Sequence, residues 1–195
     1  IEGDSAYAKM LTKEYKYLKK AFNLKPMKKQ SWLFMRMRPQ SFPVVRITQF
    51  VDFIQKYLEI LLLPNLMNYE KLINNLEVQA SDFWDTHYTF LQPSPKKKKK
   101  LGKESIKHLI VNTFIPSLFF YADHKQDDYL KEKCLEILEN LDPENNNILS
   151  KWVNIGMPNE HAANSQGLLQ LKKTYCDEKK CLRCEIGTDI LLREK

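Results

Sequence analysis

Glycine is scarce in this sequence, 5 residues in 195, which argues against a turn-rich β architecture. Long apolar runs are also missing. The longest, residues 60–63, is far too short to cross a bilayer, and no membrane partner is expected. No basic segment followed by an apolar stretch opens the chain, so no secretion signal is expected. There is no Walker A sequence, no glycine-rich dinucleotide fingerprint and no G-x-S-x-G elbow. The histidines His87, His108, His124 and His161 are nowhere spaced as a ligand pair. With no complete catalytic constellation, the chain by itself reads as non-enzymatic.

What remains is helical in character. Leucine, lysine and glutamate are abundant, and hydrophobic residues make up 43% of the chain, enough for a buried core. Tyr7, Met10, Leu11, Tyr15, Leu18 and Phe22 follow the 3–4 spacing of an amphipathic helix over 4–22, ended by Asn23 and Pro26. Pro43 opens a second helix, whose apolar face runs through Val44, Ile47, Phe50, Val51, Ile54, Leu58 and Leu61. Further helices are expected near 66–75, 103–122 (kinked at Pro116), 126–141, 143–155, 159–175 and 182–193. The fold class is therefore all-α, an irregular or orthogonal bundle of seven to nine helices in a single domain. Its expected core is Leu18, Ile47, Phe50, Ile54, Leu58, Ile110, Phe114, Leu118, Leu135, Leu138, Trp152, Leu168 and Leu171. The run Pro93-Ser-Pro95-Lys96 to Lys100 reads as part of an exposed loop over 93–103.

Charge is distributed unevenly. Residues 1–103 hold 19 Lys and Arg against 9 Asp and Glu, whereas residues 104–195 hold 12 against 15. The basic first half is expected to face a polyanion, nucleic acid above all, or the acids of a protein surface. Arg36, Arg38 and Arg46, near Trp32 and Phe34, and the lysines Lys96, Lys97, Lys98, Lys99 and Lys100 are the candidate anion-binding residues. Asp82, Asp85 and His87 form a D-x-x-D-x-H string, but Trp84 and Tyr88 beside it favour a packed aromatic element over a metal site. Glu144 to Asn147 reads as helix-capping chemistry rather than a calcium loop.

Cys176, Cys181 and Cys184 stand in a C-x4-C-x2-C cluster within a knuckle over 176–187. Soft thiolates at this spacing are candidate ligands for zinc or an iron–sulfur cluster, with His161 or Cys134 as the fourth. The alternatives are reduced structural thiols or a redox pair; clustered thiols without a secretion signal point to a cytoplasmic location.

Several strings occur in a characteristic order. They are Trp32-x3-Arg36-x-Arg38-Pro39-x2-Phe42-Pro43-x2-Arg46-x2-Gln49, Phe83-Trp84-x2-His87-Tyr88-x-Phe90, Leu101-Gly102, Asn112-x3-Pro116 and Tyr121. Glu144-Asn145, Trp152-x3-Gly156, Ser165-Gln166-x2-Leu169-x-Leu171-x3-Tyr175-Cys176 and Cys181-Leu182-x-Cys184-x-Ile186-Gly187 follow. Together they resemble the C-terminal half of an uncharacterised bacterial family catalogued as a domain of unknown function. The resemblance, with a first residue that is Ile rather than Met, leads us to expect a fragment of a longer protein whose N-terminal half is a partner. That half carries a pattern similar to a metal-dependent nuclease core, which implies a further reading: Arg38, Arg46 and His87 completing a composite enzyme site.

Overall fold

The computed structural model describes residues 3–32, 36–57, 74 and 76–193. Among them the secondary structure is helical, with isolated β-bridges at Gln79–Lys100 and His87–Pro93 and no strand. The all-α expectation holds, and eight α-helical segments are present among the described residues. The helix expected near 66–75 lies almost wholly outside them. The chain divides into two compact units, Ile1–Leu66 with Glu70–Ile106, and Met67–Tyr69 with Lys107–Lys195.

In the first unit, α1 runs Ala6–Ala21. Ser5 caps it, its Oγ accepting from the Ala8 amide at 3.1 Å, and Asn23 ends it in the left-handed region (φ 49°). Helix α2 runs Pro43–Tyr57, with proline in the first position where its missing N–H is harmless. A 3-10 turn, Asp82–Thr86, follows. The segment 93–101 then returns alongside 78–87. Ala80 N donates to Lys99 O, Leu101 N to Val78 O and Lys97 N to Asp85 O, at 3.0, 2.9 and 2.7 Å. Val45, Ala80 and Trp84 are buried at the centre, with Tyr7, Phe83, Tyr88 and Phe90 packed around them. Phe90 meets Trp84 edge-on with ring centroids 5.0 Å apart, and Tyr7 stacks on Phe83 at 4.6 Å.

The second unit is a stack of short helices. The helix expected over 103–122 divides into α3 (Lys103–Leu109), which crosses the boundary between the units, a π-turn (Ile110–Phe114) and α4 (Ile115–Lys125). Pro116 cannot donate to the helical ladder, and the wide π-turn just before it absorbs that defect. Gln126 (φ 54°) reverses the chain into α5 (Asp128–Glu139), capped by Asp127. Helix α6 (Asn147–Asn154) starts at Asn146, whose Oδ1 accepts from the amides of Ile148 and Leu149, which is the capping role expected of this stretch. Helix α7 (Ala162–Leu171) runs into a second π-turn (Lys172–Cys176), and α8 (Glu185–Arg193) follows the cysteines. Ile110, Ile115, Leu130, Cys134, Ile137, Leu149 and Leu168 form the buried interior.

Three expected core residues are exposed: Ile47, Phe50 and Leu135. On α2 the buried stripe is Val45 and Gln49, so the helix is rotated away from its most apolar face. A polar contact accounts for the rotation. Gln49 Nε2 donates to Lys99 O at 3.0 Å, a second donor to a carbonyl that also accepts from Ala80 N, and this pairs the buried Gln49 amide. Ile110 and Leu168 are buried; Leu18, Ile54, Phe114, Leu118, Leu138, Trp152 and Leu171 are half-buried. Leu58 lies outside the described residues.

Candidate functional site

The candidate anion-binding residues separate into two groups once placed. Arg46, Lys98 and Lys99 are engaged in holding the first unit together. Arg46 Nη1 donates to Gln49 Oε1 at 3.1 Å and Nη2 to Ser105 Oγ at 3.3 Å. Gln49 in turn grips the Lys99 backbone, so α2, the lysine segment and the start of α3 are linked in one chain of hydrogen bonds. Lys99 departs from the expected solvated loop: it is 4% exposed. Its Nζ donates to Asp85 O at 2.9 Å and lies 4.1 Å from the centre of the Tyr88 ring. Burial pushes the pKa of its ammonium below the ordinary 10.5, against the pull of the Asp85 carboxylate. Lys98 bonds Asp85 Oδ2 at 3.1 Å and reaches Asp82 at 3.7 Å; the Asp85 hydrogen bond holds its pKa above 10.5.

Arg36, Arg38, Lys96, Lys97 and Lys100 form the second group. All are exposed, and among the described residues none is paired with a carboxylate. Of the eight candidate residues, these five are left to meet an external anion. A signal missed at the level of sequence extends the group. Between Glu14 and Asp52 the chain has no acid at all, yet it carries Lys16, Lys19, Lys20, Lys25, Lys28, Lys29, Arg36, Arg38 and Arg46. Counting charge over whole halves averaged this stretch away.

His87 is fixed in place. Its ring stacks on Phe83 with centroids 4.2 Å apart, and Nδ1 lies 3.0 Å from Phe83 O. Thr86 Oγ1 stands equally close to Nδ1, at 3.0 Å, so two oxygens hold this edge of the ring. No hydrogen bond joins His87 to Arg38 or Arg46 among the described residues. Asp82 and Asp85 share Lys98.

The cysteines do not converge. Cys176 and Cys181 are exposed and Cys184 is buried. Cys134 lies buried in α5, where desolvation raises its thiol pKa above the ordinary 9.0. His161 caps α7, its Nδ1 accepting from the Asn164 amide at 3.3 Å. Among the described residues no three His, Cys, Asp or Glu side chains are placed to hold one metal ion. The knuckle is held by its backbone instead: Lys180 N donates to Tyr175 O and Lys179 N to Cys176 O, and Gly187 packs directly against the Cys181 carbonyl.

Other motif residues also have structural roles. Ser165, fully buried, donates to Asn159 Oδ1 at 2.7 Å and accepts from the Glu144 amide at 2.8 Å; Gln166 Nε2 donates to Glu144 Oε1 at 2.5 Å. This lock ties the loop before α6 to α7. Between α4 and α5 an apolar groove of about 450 Å³ is lined by Val111, Ile115, Pro116, Phe119, Phe120, Leu135 and Leu138, with Asp123 and Gln166. No helix among the described residues is long and apolar enough to cross a membrane.

A family model described as a protein of unknown function (DUF2851) matches residues 2–147. The match takes in the whole basic region and α3 to α5, and it stops short of the cysteine knuckle. No curated protein matches, and no solved structure matches.

Proposed function

The chain belongs to this family of unknown function, and on that premise we propose that it is a non-catalytic helical module whose first unit binds a polyanion, nucleic acid in particular. The observation that carries the reading is the set of exposed cations without carboxylate partners among the described residues: Arg36, Arg38, Lys96, Lys97 and Lys100. Folding does not need them, in contrast to Arg46, Lys98 and Lys99. Phosphate contacts release condensed counterions, so the affinity should fall steeply as salt rises.

Titration of a labelled oligonucleotide at several salt concentrations tests this. Wild-type protein should bind, and the slope of log K against log salt should shrink by about 0.7–0.9 for each phosphate that an Arg36→Ala, Arg38→Ala variant no longer neutralises. Failure to bind at about 50 mM salt, or a slope untouched by both substitutions, would exclude the proposal.

A second reading rests on the groove of the second unit and on Phe120, 75% exposed beside it. There the chain is a protein-interaction scaffold that packs on another polypeptide surface, such as a further part of a longer protein. Association driven by that apolar surface would be insensitive to salt and weakened by Phe120→Ser.

A further inference from the structure

Helix α1 buries a single residue, Ala8. Tyr7, Leu11 and Leu18 lie half-buried on the same side. The opposite side carries Lys9, Lys13, Lys16 and Lys20, spaced four, three and four residues apart, which puts them in one exposed row. The row runs about 16 Å along the helix axis. Beside it stands Tyr17, 68% exposed, with Lys13 four residues before it and Lys20 three after; Met10, also exposed, lies two turns back on the same strip. Among the described residues Tyr17 makes no hydrogen bond and no ring contact. Among the described residues Lys9 alone of the row meets an acid, a loose 3.6 Å contact with Asp4; Glu14 stands to one side, and in the sequence no acid follows it until Asp52.

We propose that this face of α1 binds single-stranded nucleic acid, with the lysine row on the phosphates and the Tyr17 ring as a platform for an unpaired base. The inference rests on the polyanion reading above and narrows its ligand. A large aromatic ring held in water among cations does nothing for the fold. Against a strand with free bases it supplies stacking, which tolerates any sequence because every base has a π-face. A duplex offers phosphates but no free base face to Tyr17. The strip also lacks the Arg, Asn and Gln side chains that read base edges in the major groove.

The test uses the full 195-residue chain. Fluorescence anisotropy with a labelled oligothymidylate of about 16 nucleotides is compared with a blunt duplex of the same length. Tyr17→Ala should weaken single-strand binding by roughly tenfold or more, while Tyr17→Phe, which keeps the ring, stays near wild type. Duplex binding should be weaker and indifferent to both substitutions. Tyr17 is too exposed for either change to threaten folding. Equal affinity for the two ligands, unaffected by Tyr17→Ala, would overturn the stacking platform and leave polyanion binding standing. No salt-sensitive binding to either would overturn both. Tighter binding to phosphatidylserine vesicles than to the oligonucleotide would assign the lysine row to a lipid surface and overturn the inference.

Discussion

The two units achieve order by different means. The first has two α-helices among its described residues, α1 and α2, and relies on an aromatic cluster around Trp84 and on side chains that hydrogen-bond backbone across long sequence separations. The second stacks consecutive helices through aliphatic residues at helical spacing, such as Leu130, Cys134, Ile137 and Leu141. Irregular backbone has no continuous ladder, and side-chain donors add to the few backbone bonds it makes: Lys99 O accepts from Gln49 Nε2 as well as Ala80 N, and Asp85 O from Lys99 Nζ as well as Lys97 N. A helix satisfies its own backbone and needs mainly an apolar stripe. The unit that buries Gln49, Asp85 and Lys99 is also the one with the surplus of exposed cation.

Trp84→Ala gives the sharpest break between the units. Removing this buried ring should cost about 3–5 kcal/mol and unfold the first unit. Amide protection around Ile110, Ile137 and Leu168 should persist if the second unit stands on its own aliphatic core. Loss of protection in both units together would show that they share one folding transition.

Gly187→Ala probes the second unit at its knuckle. An added methyl would sit 2.5 Å from the Cys181 carbonyl oxygen, so backbone must move, at about 1–3 kcal/mol. Cys181→Ser, at an exposed thiol, should stay within about 0.5 kcal/mol. Denaturation midpoints of the two variants check the contrast. A large loss in Cys181→Ser, accompanied by loss of bound metal, would restore a metal-centred knuckle.

Alkaline pH should separate the units more gently. In the second, burial raises the Cys134 pKa above 9.0, so the folded chain keeps a proton that the unfolded chain gives up, and stability falls as pH rises past 9.0. Lys131 and Lys133, raised chiefly by hydrogen bonds to Asp123 and Glu136, add stability that is complete below 10.5 and lost as pH climbs through their raised values. In the first unit Lys99 has the opposite sign. Its lowered pKa means the unfolded chain binds the proton more tightly, so its contribution improves as pH rises toward 10.5, while Lys98 acts against it. Amide protection, corrected for intrinsic exchange, should therefore decline first in the second unit as pH rises past 9.0. Cys134→Ala should remove the thiol's share of that decline.

Helix starts were legible in both units because capping residues, prolines and apolar periodicity all act within a few residues of one another. Asn146, Asp127 and Pro43 mark helix starts by local chemistry that any neighbourhood would preserve. The rotation of α2 was not legible. Its most apolar face predicts Ile47 and Phe50 inside, and only a carbonyl 50 residues away, that of Lys99, gives a reason to bury Gln49 instead. The candidate site shows the same division. Sequence alone identified a basic first half and named the residues that carry the charge, because charge belongs to residue type. Which cations remain available was decided by tertiary structure: five lysines in a row look equivalent on paper, yet one turns inward onto Tyr88 and Asp85, its neighbour pairs with Asp82 and Asp85, and the other three face water. Local chemistry sets where helices begin and what charge they bear. The partners that consume a charge or bury a glutamine come from distant parts of the chain, and only folding brings them within reach.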